Sequence, residues 1–237
     1  MSDAAKAELL GALGRLVRGL SILFWGLGLT ALVYLETARV ETTEAGELEI
    51  FDRLAFFPAL ILSAMLWRGL RQMRAFQPQE RIWQRALDRA EALAATDAGL
   101  APFLFWWHKF PAVPLFAAGA GLLLLSSLFL LVQINLVLRR LCAMLPDETL
   151  RAETKLFTAC NITFLLGVFA GLAAHFLLSR LTLLPPFVRV SWEAAGAGEI
   201  WLGLFLVLLP VAMTMALVWK IKEVVFSSLL AASGGSN

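Results

Sequence analysis

Hydrophobic residues are gathered along this chain into five blocks, at residues 17–35, 54–70, 112–138, 156–178 and 200–219, and the segments between them hold most of the charge. A helix needs about 20 predominantly apolar residues to cross the ~30 Å hydrocarbon layer of a bilayer. Each block therefore predicts a membrane-spanning helix. The second is the shortest: Pro58 sits near its start and its clean apolar core ends at Trp67, so a short span or a re-entrant segment fits it. Pro210 lies inside the fifth block and predicts a kink, because proline removes a donor and crowds the preceding turn. Thr214, one turn further on, offers a hydroxyl to a freed carbonyl.

The segments outside the blocks carry their own periodicity. Residues 1–16 place Leu9, Leu10, Leu13 and Leu16 at helical spacing among Lys6 and Arg15, which predicts an amphipathic lead-in to the first span. The first block is too long for a signal peptide, and no small-residue cleavage pattern follows it. In residues 78–95, Ile82, Ala86, Ala90 and Leu93 form an apolar stripe with Trp83 and Leu87 beside it. Pro78 suits a first helical turn and Gly99 a terminus, so this stretch predicts an amphipathic helix on the membrane surface or against the bundle. Trp106 and Trp107, ahead of Pro111, read as an interfacial anchor for the third span. Residues 231–237 are small and polar and read as a flexible tail. The architecture expected is all-α and polytopic: a single membrane domain over residues 17–230, with about five spans and one interfacial helix. No internal repeat supports the inverted symmetry of many transporters.

Composition agrees with the blocks. Apolar residues make up 59% and charged residues 16% of the chain, against about 45–50% and about 25% in soluble domains. A net charge of +2 gives no basic field for nucleic acid, so the expected partners are the lipid bilayer and either another membrane protein or further copies of the chain. Cys142 and Cys160 form no CxxC and read as small hydrophobes. Positive charge accumulates on the cytoplasmic side of membrane proteins. With five spans and the N-terminus inside, twelve Lys and Arg fall inside and eight outside, the dissenters being Arg139, Arg140, Lys220 and Lys222. A sixth crossing within residues 90–109 changes the count to fifteen against five. Glu91, Asp97 and His108 speak against it, since a charge near a span centre costs about 2.5–3.5 kcal/mol. Five spans is the expectation, with four and six as alternatives, in a bacterial inner membrane.

Chemistry has few footholds. Gly167 and Gly171 form a GxxxG, and with Gly119 and Gly121 they predict close packing of the third and fourth spans as an antiparallel hairpin. Gln133, Asn135 and Asn161 fall at one depth near that hairpin's loop, where an amide bond from Asn161 to Gln133 or Asn135 would clasp the two helices. His175 lies near the far end of the fourth block with no Asp or Glu in any block to partner it, bonded as a neutral ring to a carbonyl or, in the sharper reading, functional. No nucleotide, zinc or nucleophile-elbow motif is present, and without CxxCH a haem shared by His108 and His175 is not expected. No catalytic residue, cofactor or metal is assigned. The function expected is a non-catalytic accessory, scaffold or assembly subunit. The alternatives are a small oligomeric permease or channel, and an intramembrane enzyme using His175.

Overall fold

In a computed structural model, residues 3–39, 56–145, 147–180 and 186–234 are described, and the acidic connection at 40–55 and the last residues, 235–237, lie outside them. Among the described residues the chain is all-helical. Its helices are α1 (Asp3–Arg39), α2 (Phe57–Met73), α3 (Arg81–Lys109), α4 (Pro114–Met144), α5 (Glu148–Arg180) and α6 (Pro186–Gly234). Among the described residues, three segments are long and apolar enough to cross a membrane: Ala7–Thr37, Pro114–Met144 and Glu148–Gly171. The lead-in expected over 1–16 is continuous with the first span in α1, and α6 runs through Pro210 without interruption. α4 wears its apolar side outward as well as inward, with Leu115, Leu122, Leu125 and Phe129 all exposed. An apolar exterior of this kind suits lipid, not water.

Each helix packs against its neighbour in sequence, and α1 closes the ring against α6. Contacts between the pairs show that neighbours run antiparallel. Tyr34 meets Ser63 and Gly19 meets Gly69 across α1 and α2. Arg74, just after α2, pairs with Asp88 and Glu91 near the start of α3, while Phe56 meets Phe105 at the other end. Phe129 meets Phe169 across α4 and α5, Asn161 meets Thr214 across α5 and α6, and Phe24 meets Trp219 across α1 and α6.

α3 departs furthest from expectation. It begins at Arg81, after a turn in which Gln77 adopts a left-handed φ of 49°, so Pro78 lies in that turn and not in the helix. It continues through Gly99 and Pro102 to Lys109. Of its nine buried residues, Trp83, Leu87, Ala90, Ala94, Asp97, Ala101 and Leu104 form a sustained three-four repeat, with Glu91 and Phe105 beside it. Ile82, the first residue of the expected stripe, is exposed. α3 also runs the whole length of α4. Glu80 pairs with Arg140 at one end, Ser127 bonds Asp97 in the middle, and Phe103 abuts Gly119 at the other end. The alanines of the seam let the two backbones approach.

The hairpin of α4 and α5 is correspondingly not the tightest in the bundle. A Cβ placed on Gly121, Gly167 or Gly171 would meet nothing within 4 Å, and only Gly119 is at a close approach, against Phe103 of α3. Gly167 and Gly171 are exposed. The reason is geometric: the face of α5 turned to the bundle carries Thr158, Asn161, Leu165 and Val168, and the glycines lie off it.

The two ends of the bundle differ. One gathers the ion pairs of Arg74 with Asp88 and Glu91, Arg140 with Glu80, and Lys220 with Glu153. There Asp147 caps α5, accepting the Leu150 N–H at 3.0 Å and the Thr149 hydroxyl at 2.6 Å. Those bonds hold its carboxyl below the usual carboxylate range. The opposite end gathers aromatic rings, with Trp106, Phe110 and Phe116 packed as a triangle whose centroids lie 6.0, 6.1 and 6.2 Å apart. This is the composition of an interfacial belt.

Candidate functional site

Two polar features lie inside the helical ring. The first joins α4, α5 and α6. Thr214 donates to the Pro210 carbonyl at 2.8 Å and accepts from Asn135 Nδ2 at 2.8 Å and from Asn161 Nδ2 at 2.7 Å. One donated bond and two accepted ones exhaust a hydroxyl. Asn135 also donates to the Leu131 carbonyl at 2.9 Å, and Asn161 to the Pro210 carbonyl at 3.2 Å. The two amides therefore meet on Thr214 and not on each other. Thr214 serves the carbonyl of Pro210 itself, one turn before it. Gln133 is not part of this arrangement. His175 lies on α5, and its side chain is outside the described residues.

The second feature is a cavity of about 640 Å³ between α1, α3, α4 and α6, with Leu66 of α2 on its wall. It reaches from the middle of the bundle, at Ser127 and Leu131, towards the aromatic end, at Trp107 and Ala117. Leucine, valine and alanine supply most of the wall, and Asp97 is the one charged residue among the described lining residues. Asp97 is only 3% exposed. Its Oδ2 accepts from the Ser127 hydroxyl at 2.9 Å, and its Oδ1 is buried with no hydrogen-bond partner. Thr30 Oγ1, also on the wall, is buried and unpartnered as well. Tyr34 is anchored beside them: Ser63 gives its hydrogen to the Ala59 carbonyl at 2.9 Å, so the phenol donates to Ser63 at 2.7 Å.

The fold locates this carboxylate at mid-depth. Ser127 sits near the centre of α4, well separated from Arg139 and Arg140. Asp97 faces it because the α3–α4 turn at 110–113 pairs residues about equally distant on either side. The apolar blocks contain no Asp or Glu, and the inward carboxylate comes instead from a helix too polar on its outer face to form a block. Its signal in the sequence is the three-four repeat, which carries Asp97 at a seam position flanked by Ala94 and Ala101. Among the described residues, no three His, Cys, Asp or Glu side chains come together as a metal site. His108 lies at the aromatic end of α3, away from the cavity's carboxylate, with Nε2 buried and unpartnered.

No protein-family model, curated protein or solved structure matches the chain.

Proposed function

We propose that this chain is a small membrane permease whose binding site is the cavity at Asp97. The carrying observation is the buried, half-satisfied Asp97 on the wall of an otherwise apolar cavity. Ligand sites are largely apolar cavities of roughly 300–1,000 Å³ with a few placed polar groups, and 640 Å³ falls inside that range. An ionisable residue within a membrane bundle is costly and marks substrate, ion or proton pathways.

The same packing favours six crossings. Where α4 spans, α3 spans beside it, and the ion-paired end of the bundle then gathers Arg139, Arg140, Lys220 and Lys222 with the basic residues of α2 and α3. Fifteen of the twenty Lys and Arg fall on that side, the cytoplasmic side of a bacterial inner membrane in this reading. Asp97 loses its force as an objection because it faces the interior and not lipid. A reporter fused to the C-terminus decides the count: six crossings from a cytoplasmic N-terminus put it in the cytoplasm, and five put it outside. Phosphatase activity without cytoplasmic fluorescence there would reject the sixth crossing.

Gly121 provides the test of the cavity. It lines the wall at the cavity's open side, and a Cβ on it meets nothing within 4 Å, so Gly121→Phe obstructs the opening without displacing a neighbour. Wild-type protein in detergent is expected to bind the neutral fluorophore N-phenyl-1-naphthylamine saturably, and Gly121→Phe to abolish this while keeping the melting temperature. Equal fluorescence from both proteins would reject the cavity as a binding site.

A second reading, the accessory or assembly subunit, is favoured by the outward face of α5. Gly167 and Gly171 are exposed there with open space above them, as a partner helix would need. The enzyme reading rests on His175, whose side chain lies outside the described residues.

A further inference from the structure

We infer that the cavity selects an amphipathic organic monocation: a protonated amine attached to an apolar body. This rests on the reading of the cavity as a ligand site and names the class of ligand. Among its described residues the lining offers one formal negative charge and no Lys, Arg or His to oppose it. An anionic ligand would place two negative groups in one water-poor space. A neutral apolar ligand would leave Asp97 as it stands, with Oδ1 buried and unbonded. Once a small rotation of the carboxylate turns that oxygen from its closed position onto the cavity, an ammonium N–H satisfies it and neutralises the charge in a single contact, and charge-assisted bonds of this kind are about twice as strong as neutral ones.

The rest of the wall fits the rest of such a molecule. Tyr34 and Trp107 are the aromatic residues of the lining, and aromatic faces attract organic cations. Leu66, Leu104, Leu128 and Leu131 surround the volume with hydrocarbon, suited to an aryl or alkyl body. Thr30 contributes a second unpartnered oxygen on α1, on the wall shared with Asp97 of α3. The Ser127 hydroxyl on the far carboxylate oxygen holds Asp97 in place without consuming Oδ1.

Three ligands of one shape test this: 4-phenylbutylammonium, 4-phenylbutanol and 4-phenylbutyrate, measured by equilibrium dialysis against the protein in lipid nanodiscs with empty nanodiscs as blank. The ammonium is expected to bind saturably at one site per chain, more tightly than the alcohol, and the carboxylate not at all. Asp97→Asn keeps the shape of the side chain and is expected to weaken the ammonium by about 30-fold or more, the usual effect of removing one member of a buried charge pair. It should leave the alcohol nearly unchanged. Alcohol and ammonium binding equally to the wild type would overturn the choice of cation while leaving the cavity as a ligand site. So would an Asp97→Asn protein with undiminished ammonium binding. Saturable binding of none of the three would remove the ligand site itself, and this inference with it. The wild-type comparison needs no variant, so a misfolded Asp97→Asn protein does not blunt it.

Discussion

Trp83→Ala is expected to destabilise the protein by about 3–5 kcal/mol, the usual range for deleting a fully buried indole. Among the described residues Trp83 is the largest completely buried side chain, at 0% exposure, and it packs edge-on against Phe76 with ring centroids 6.3 Å apart. Its position begins the inward seam of α3, and the α2–α3 turn is folded over it through Phe76. Ile82, its neighbour in sequence, is 60% exposed, and Ile82→Ala is expected to change stability by less than about 0.5 kcal/mol. The two substitutions remove side chains one residue apart and differ only in which face of α3 they sit on. Thermal unfolding in detergent compares them. At the size of this chain, the first should lower the midpoint by roughly 10 °C and the second hardly at all. Equal effects would mean that the first half of α3 does not dock through Trp83, and the bundle described above would lose its third member.

That comparison marks where the sequence was legible. Blocks of uninterrupted apolar residues are unambiguous under the physics of the bilayer, so the helices α1, α4, α5 and α6 follow from hydropathy and length alone. α3 is different because it is polar on one face. Its Arg and Glu residues dilute the mean, Gly99 and Pro102 resemble terminators, and a stripe through Ile82 competes with the seam through Trp83 at nearly the same spacing. Which of two overlapping stripes is buried depends on the partner helix, and the partner is not written in the segment itself. Asp97 was hidden by the same cause. A carboxylate is out of place in a span unless the helix opposite offers Ser127 and a cavity instead of lipid. The amides were easier. Asn135 and Asn161 share a depth because the α4–α5 connection is short, and that much is arithmetic. That both would bond Thr214 requires α6 to lie between them, a long-range fact that no local pattern carries.

Glycine placement shows the same limit and gives the second large expected effect. A GxxxG stands out in sequence, yet a Cβ on Gly167 or Gly171 meets nothing within 4 Å, whereas one on Gly119 falls 2.3 Å from Phe103 Cδ1 and 2.8 Å from Phe103 Cβ. Rotating the ring relieves the first clash but not the second, because Phe103 Cβ moves only with the α3 backbone. Gly119→Leu must therefore part α3 from α4 at the aromatic end, and overpacking of a tight contact costs about 1–3 kcal/mol. Gly171→Leu places its side chain into open space on the outer face of α5 and is expected to leave the melting temperature in detergent unchanged. If α5 docks a partner there, Gly171→Leu will show it by a smaller particle in size-exclusion chromatography at constant melting temperature, which would favour the accessory-subunit reading. A severe Gly171→Leu beside a harmless Gly119→Leu would overturn the packing order argued here. It would return the centre of the protein to the α4–α5 hairpin and leave α3, with its carboxylate, at the periphery.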